Sequence, residues 1–233
     1  MTADISYWLI DTGGSRSFPE GDAFLTGATE TAKNSDCVVI IGKRVDEPFA
    51  KVKSDDFRVF LLELGHEYLG SHIGEQLDCK NDRILGFNRF RLGSDKPSDL
   101  IELVAQSTTD GHTKDIAAGL FEQRGFKTAV CHDRAGRIVD RLIRPYFNAA
   151  LDRLDEGLAS AADLDRALKL GLGYPRGPIE WLETTGLAAH YEVSMALYQA
   201  LGDPAYLPAR RAQGAASCCV RQDGRNNPKG ERH

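Results

Sequence analysis

The chain has 233 residues, of which 42% are hydrophobic, and a formal net charge of −5. This length and apolar content allow one large or two small domains with a sizeable core. The negative charge predicts no nucleic-acid partner, and no apolar run approaches the roughly 20 residues that cross a bilayer, so we predict no membrane partner either. Residues 1–11 contain early acids and no basic region, so we expect a cytoplasmic protein without a signal peptide.

Cysteine and histidine spacing offers no metal or disulfide pattern. The five cysteines are odd in number and lack paired C-x-x-C spacing, which argues against a disulfide framework or a zinc ribbon. His66 and His72 are six residues apart, a poor helical spacing for shared ligation, and the HExxH pattern is absent. We therefore predict no metal site.

The part of the chain before residue 134 predicts short strands between turns. Several segments are continuous aliphatic runs, which is typical of strands covered on both faces. One helix is predicted at residues 113–124. The predicted strands are residues 5–10, 37–41, 57–64, 83–87, 100–105 and 127–131. This alternation indicates an α/β domain of the parallel-sheet type.

The first predicted strand leads into Asp11-Thr12-Gly13. An apolar strand followed by D-T-G is how an aspartic protease presents a carboxylate, but that chemistry needs two carboxylates that share a proton. The chain has no second copy of the motif and no all-β pattern. We therefore interpret the motif as a turn that ends a strand.

Residues 136–186 predict two helices, a glycine-rich elbow and the start of a third helix. Apolar residues at helical spacing form a broad stripe over residues 138–154. Ser160, followed three residues later by Asp163, resembles a capping box that begins the second helix. The dipeptide Gly177-Pro178 starts the third helix, because the first helical amide has no intrahelical partner to lose.

In this order the motifs resemble the C-terminal helical domain of the 3-hydroxyacyl-CoA dehydrogenases, including the 3-hydroxybutyryl-CoA dehydrogenases. That family shows Gly-x-Ile-Val-Asn-Arg-Leu, Pro-Tyr, Asn-Glu-Ala, Glu-Gly, Asp-Ile-Asp and Gly-x-Gly-x-Pro-x-Gly-Pro. The counterparts here are residues 136–142, 145–146, 148–150, 156–157, 163–165 and 171–178. An unrelated all-helical domain is the alternative, but helical periodicity alone does not account for the elbow.

The preceding part resembles a reduced form of the family's nucleotide-binding domain. A complete member follows its first strand with a G-x-G-x-x-G turn and a helix whose amides hold the dinucleotide pyrophosphate. Here only residues 11–15 stand in that place, followed by Phe18-Pro19, and we expect the cradle to be missing. Some larger members carry a second unit with a reduced domain and a second helical domain, and the chain resembles that unit.

These patterns define an α/β chain in three parts. We predict a reduced Rossmann-like sheet domain at residues 1–133 and an all-α 3-hydroxyacyl-CoA dehydrogenase C-terminal domain at residues 134–208. Residues 209–233 are basic and lack an apolar period, so we predict a disordered tail there. In this tail the chain departs from the family, whose helical domain continues with further helix.

The resemblance implies three polar site positions. In the family a histidine acts as general base on the substrate hydroxyl while NAD takes the hydride, and a glutamate in the next strand orients it. Asn88 stands at the histidine position, Glu102 at the glutamate position, and Asp140 at that of an asparagine contacting the substrate region. Two positions are therefore substituted, and an amide cannot take the proton. Pairing with Arg89 or Arg91 is an alternative role for Glu102.

The resemblance implies NAD-linked oxidation of 3-hydroxyacyl-CoA in fatty-acid or aromatic-acid catabolism. Because the base and the cradle are missing, we predict a non-catalytic dimerisation and substrate-cleft module, with NAD not bound by this chain alone. The expected partners are a second copy or a full dehydrogenase unit, with 3-hydroxyacyl-CoA as a candidate ligand. Two alternatives stay open: an active 3-hydroxybutyryl-CoA dehydrogenase with an atypical or partner-supplied site, and a non-catalytic acyl-CoA-binding protein.

Overall fold

A computed structural model of the chain describes residues 4–33, 35–52, 57–74 and 82–225, with side chains up to residue 218. The chain divides into two compact units, Met1–Arg91 with Lys96–Val139 and Leu92–Asp95 with Asp140–His233. The first unit is α/β and the second is helical. The sequence placed the boundary after residue 133, whereas these units divide after Val139, at the first residue of a helix.

Six strands form one sheet in the first unit. They are β1 Tyr7–Asp11, β2 Cys37–Ile41, β3 Val59–Glu63, β4 Ile84–Arg89, β5 Leu100–Ala105 and β6 Lys127–His132. The strands lie in chain order from β1 to β6, and neighbours are parallel except β4 and β5. The predicted α/β class of the parallel-sheet type is confirmed, with one antiparallel pair, β4 and β5. Residues 90–99 contain no helix, and a connection this short brings the chain back antiparallel.

Both faces of the sheet are apolar, because the strands are continuous aliphatic runs. One face packs around Phe87 and Phe121, and the other around Phe60 and Leu69. The helices described in this unit are α1 Ala23–Thr26, α2 Asp46–Lys51, α3 Gly70–Ile73 and α4 Gly111–Glu122. The sequence predicted α4 two residues too late, at 113–124, because Asp110 caps the helix from one residue before Gly111.

The second unit contains five helices among its described residues. They are α5 Val139–Asp155, of which Val139 belongs to the first unit, α6 Ala161–Leu172, α7 Pro178–Thr185, α8 Leu187–Leu201 and α9 Arg210–Arg225. Ser160 accepts the amide of Asp163 at 3.2 Å, so the predicted cap is confirmed, and α7 begins at Pro178 as predicted. Among the residues with a described structure, no helix is long and apolar enough to cross a bilayer.

The disorder predicted for residues 209–233 is wrong over α9. This helix starts at Arg210, and its sequence repeats small apolar residues at helical spacing, namely Ala212, Ala215, Ala216, Cys219 and Val220. Ala212 in the helix and Ala209 just before it are buried, while Arg210 and Arg211 pair with Asp155 at 3.4 and 2.5 Å. The segment is polar overall because basic and polar residues outnumber these small apolar ones, so sequence reasoning missed the period. Residues 226–233 lie outside the described residues.

Asp165 holds the glycine-rich elbow between α6 and α7. Its buried carboxylate accepts the amides of Ile179 and Glu180 at 2.9 Å each, so it caps α7 from the preceding helix. A Cβ atom on Gly177 would lie 2.1 Å from the Cγ of Asp165. The Asp-Leu-Asp and Gly-Pro motifs are therefore the two halves of one interaction, and the close approach requires glycine.

Gly177→Ala should lower the free energy of unfolding by about 1–3 kcal/mol, because the added methyl group overlaps Asp165. Gly171 lies within α6 with open space around its Cβ position. Gly171→Ala is therefore the matched control, and it should be neutral or stabilise the protein by up to about 1 kcal/mol. Urea unfolding followed by circular dichroism measures both variants. An equal loss in both would contradict the role assigned to the elbow.

Candidate functional site

The structure brings two of the three predicted site residues together. Asn88 in β4 and Glu102 in β5 are directly opposite each other in the antiparallel register, and both are buried. Side chains at such paired positions project from the same face of the sheet as immediate neighbours. The third residue, Asp140, belongs to the second unit.

Glu102 caps the start of α5. Its Oε1 accepts the amides of Ile138 and Val139 at 2.9 Å each. A carboxylate at a helix N-terminus satisfies amides that have no partner in the helix and interacts favourably with the helix dipole. Arg89, the alternative partner considered from sequence, pairs instead with Asp22 at 2.7 Å. The carboxylate of Glu102 thus holds the backbone at the start of α5.

Arg137 is a buried site residue that sequence reasoning missed. Its φ of 49° makes it the only non-glycine residue with positive φ among those described. Its guanidinium donates to the carbonyl of Glu67 at 3.1 Å and to the carbonyl of Gly65. A bulky residue in the left-handed region is strained, and these two hydrogen bonds hold it there. In the family motif Arg137 occupies the variable position, which gave no signal.

His72 in α3 lies between two carboxylates. Its Nε2 lies 3.1 Å from Glu67 and its Nδ1 lies 2.5 Å from Asp46. The hydrogen bond to Glu67 raises the pKa of His72 to about 9 against the opposing effect of burial, and Asp46 adds to the rise. Burial alone would raise the pKa of Glu67, but its hydrogen bonds from His72 and from backbone amides lower it to about 2. The ring is therefore an imidazolium at neutral pH.

Asp140 begins a buried polar network in the second unit. Arg144 donates from Nε to Asp140 at 2.8 Å and from Nη1 to Nδ1 of His190 at 3.2 Å. Because Nδ1 accepts, Nε2 carries the proton and donates to Oδ1 of Asn148 at 2.9 Å. Burial, and secondarily Arg144, lowers the pKa of His190 to about 3. Asp140 thus supplies the negative charge that buried Arg144 requires, which an asparagine cannot.

At the carboxyl end of β3, Glu63 is surrounded by backbone amides. Its Oε1 accepts from Oγ of Ser15 at 3.0 Å, from N of Arg16 at 3.1 Å and from N of Ser17 at 2.7 Å. Its Oε2 accepts from N of Gly42 at 2.7 Å. Open α/β sheets bind ligands at this edge of their strands. Here the protein's own carboxylate binds the loops that follow β1 and β2.

Metal and thiol chemistry find no support at these positions. Within the described part of the chain, no cluster of three or more His, Cys, Asp or Glu side chains is placed to hold a metal ion. Burial, followed by the charge of Glu102, raises the pKa of Cys131 to about 11, and burial raises that of Cys37 to about 12. Both thiols are therefore protonated at neutral pH.

Comparison with known proteins gives the class of the helical unit. Residues 136–217 match the C-terminal domain of the 3-hydroxyacyl-CoA dehydrogenases. The 3-hydroxybutyryl-CoA dehydrogenase of Bradyrhizobium diazoefficiens is 25% identical over 188 residues, 75% of this chain and 61% of that protein. The human mitochondrial hydroxyacyl-coenzyme A dehydrogenase is 38% identical over 88 residues, 38% of this chain and 28% of that protein. The chain therefore spans less than two thirds of these relatives.

Solved structures of such enzymes share the fold. The (S)-3-hydroxybutyryl-CoA dehydrogenase of Ralstonia eutropha matches with a TM-score of 0.67 at 22% identity, over 84% of this chain and 72% of that chain. The 3-hydroxybutyryl-CoA dehydrogenase of Escherichia coli matches with a TM-score of 0.68 at 22% identity, over 80% of this chain and 40% of that chain. The fold is that of a Rossmann-like sheet unit followed by a dehydrogenase helical unit. Residues 136–217 are thus similar to the C-terminal domain of the 3-hydroxyacyl-CoA dehydrogenases, and this match includes the first turns of α9.

His72→Gln should lower the melting temperature most below about pH 6.5 and least above about pH 9. The pKa of His72 is raised in the folded state from 6.5 to about 9. Its charged ring therefore stabilises the fold fully below the unfolded value, and this contribution is lost as pH rises through the folded value. Thermal unfolding across that window measures the difference, with His132→Gln as the surface control. A difference in melting temperature between wild type and His72→Gln that does not change with pH would contradict the role of the ion pairs.

Asp140→Asn should lower the free energy of unfolding by about 3 kcal/mol, because buried Arg144 loses its carboxylate. The substitution keeps the side-chain volume, so the loss of unfolding free energy measures the effect of removing the negative charge. Adding Arg144→Met should recover much of the loss, since the buried positive charge is then gone. Urea unfolding of the two single variants and the double variant completes the cycle. Additive losses would show that the two residues do not act as a pair.

Proposed function

We propose that this chain is a non-redox module of the 3-hydroxyacyl-CoA dehydrogenase family. Its helical unit would provide a dimerisation surface and one wall of a cleft for 3-hydroxyacyl-CoA. The observation that carries the proposal is the pairing of Asn88 with Glu102. By resemblance these are the positions of the general base and its orienting glutamate, and an amide has no basic site for an alcohol proton. Loss of a general base alone forfeits about a hundred- to ten-thousandfold in rate.

NAD is the cofactor that the family implies, and the residues present do not fit it. A dinucleotide pyrophosphate binds amides of the loop after the first strand, beside the point where strand order reverses. The six described strands lie in chain order without a reversal. The amides of Arg16 and Ser17 already bind Glu63, and α1 has only four residues. Hydride chemistry in an assembly with this chain would therefore come from another unit.

Apolar surface on the second unit supports the pairing of helical units. Leu142 in α5 and Leu170 in α6 are largely exposed. A groove of about 270 Å³ between the same two helices is lined by Tyr146, Ala149, Ala150, Arg153, Leu164, Ala167 and Leu168. Leucines and a groove walled by alanines on one pair of helices suit a two-fold contact, in which each copy presents the same patch. The proposed partner is a second copy, and a full dehydrogenase unit with the same domain is the alternative.

Acyl-CoA binding without turnover is a second candidate, favoured by a pocket in the helical unit. The pocket measures about 340 Å³ and is lined by Leu142, Ile143, Tyr146, Tyr174, Pro175, Arg176 and Trp181. Apolar and aromatic walls of this kind suit an acyl chain. The hydroxyl of Tyr146 is buried without a hydrogen-bond partner in the described part of the chain, and burial raises its pKa to about 12. It is therefore a neutral donor for a carbonyl oxygen.

The proposal predicts a dimer without redox activity. The purified chain should sediment as a dimer, should not change NADH fluorescence on titration, and should not reduce acetoacetyl-CoA. Asn88→His should stay inactive, because the added base has no hydride acceptor beside it. NADH-dependent reduction of acetoacetyl-CoA by the unmodified chain would overturn the proposal.

The dimer is tested by one substitution on the apolar face. Leu170→Glu should shift sedimentation towards the monomer, because it places a charge in the contact. Val130→Glu changes an equally apolar exposed residue of the first unit and should leave the dimer intact. A wild-type monomer that binds a CoA thioester in calorimetric titration would favour the acyl-CoA-binding alternative. A complex formed only with a full dehydrogenase would identify the partner as that unit.

A further inference from the structure

We infer that Glu63 is an internal anion at the edge where open α/β sheets bind ligands, and that removing its carboxylate side chain converts the loop after β1 into a site for inorganic phosphate or pyrophosphate. The inference concerns the first unit alone. It does not depend on whether the chain dimerises or binds a CoA thioester.

The carboxylate of Glu63 accepts from four donors. Ionised, it offers about four lone-pair positions on its two oxygens. Three donors reach Oε1, from Ser15, Arg16 and Ser17, and the amide of Gly42 reaches Oε2, at distances of 2.7 to 3.1 Å. Three of the four donors are backbone amides, which cannot rotate away. A neutral group or an empty space at this position would leave them without an acceptor.

The loops that provide these amides are locked to each other. The hydroxyl of Thr12 donates to the carbonyl of Ile41, and the amide of Lys43 donates to the carbonyl of Gly13 at 3.1 Å. Gly42 has a φ of 103°, and a Cβ there would lie 2.4 Å from the hydroxyl of Thr12. Because other hydrogen bonds hold these loops, their amides keep converging when the Glu63 side chain is shortened. Convergent amides of this kind bind anions.

Positive charge is also present on the two loops. The guanidinium of Arg16 lies 3.2 Å from Nε2 of His66. The side chain of Lys43 passes over Gly14, with its Cε 3.0 Å from the position that a Cβ on that glycine would take. Neither cation is bonded to Glu63, so both stay available when the carboxylate is removed. A free phosphate would meet fixed amides and two cations, which is the composition of a phosphate site.

The test compares wild type, Glu63→Ala and Glu63→Gln by thermal unfolding. Each is measured in chloride, inorganic phosphate and pyrophosphate at one ionic strength. Wild type should melt at the same temperature in all three salts. Glu63→Ala should melt lower in chloride and recover about 3 °C when phosphate or pyrophosphate is present at roughly tenfold over its Kd. Stronger recovery by pyrophosphate than by phosphate would indicate room for a diphosphate.

Two variants keep the result decisive. Glu47→Ala removes an exposed carboxylate from α2 and should gain nothing from phosphate. Glu63→Gln keeps the shape of the side chain but turns an N–H towards an amide donor, so it decides the question where Glu63→Ala does not fold. It should melt below wild type. The inference fails if both Glu63 variants melt like wild type, or if Glu63→Ala gains no more from the phosphates than Glu47→Ala does.

Discussion

Backbone amides at the start of a loop or helix have no partner in their own segment, and this chain supplies that partner from buried carboxylates elsewhere. Glu63 in β3 binds the loops after β1 and β2, Glu102 in β5 binds the start of α5, and Asp165 in α6 binds the start of α7. Each carboxylate is buried and each joins segments that are distant in sequence. These joins are made by side chains of the protein itself.

The elements that sequence reasoning placed correctly have strong local signals. The aliphatic runs at Cys37–Ile41 and Leu100–Ala105 define strands whose bounds match the prediction at both ends. The glycine-rich elbow could be predicted because glycine and proline directly determine which backbone conformations are allowed. α9 was missed because its apolar residues are small and its sequence is polar overall. The antiparallel pairing of β4 and β5 follows from the short connection between them, and the hydrophobic pattern of the strands does not report it.

The partners of buried charged side chains could not be predicted from the sequence. Glu63 and the donors that it binds are 21 to 48 residues apart, and the Arg144–His190 contact spans 46 residues. Residue type alone does not show whether an arginine is buried, so no local pattern distinguishes Arg144 from its solvated neighbours. The resemblance placed Asn88, Glu102 and Asp140 at family positions, but it did not reveal that Glu102 and Asp140 are engaged in capping and charge compensation. Those roles follow only from the contacts.

The cap on α5 also bears on how the helical unit can be isolated. The family match begins at residue 136, whereas the carboxylate that binds the amides of Ile138 and Val139 belongs to Glu102 in the sheet. A fragment cut at the family boundary would keep all of α5 but expose its first turn to water. Its leading residues would then fray, and an engineered Asp or Ser just ahead of Val139 would restore a local acceptor.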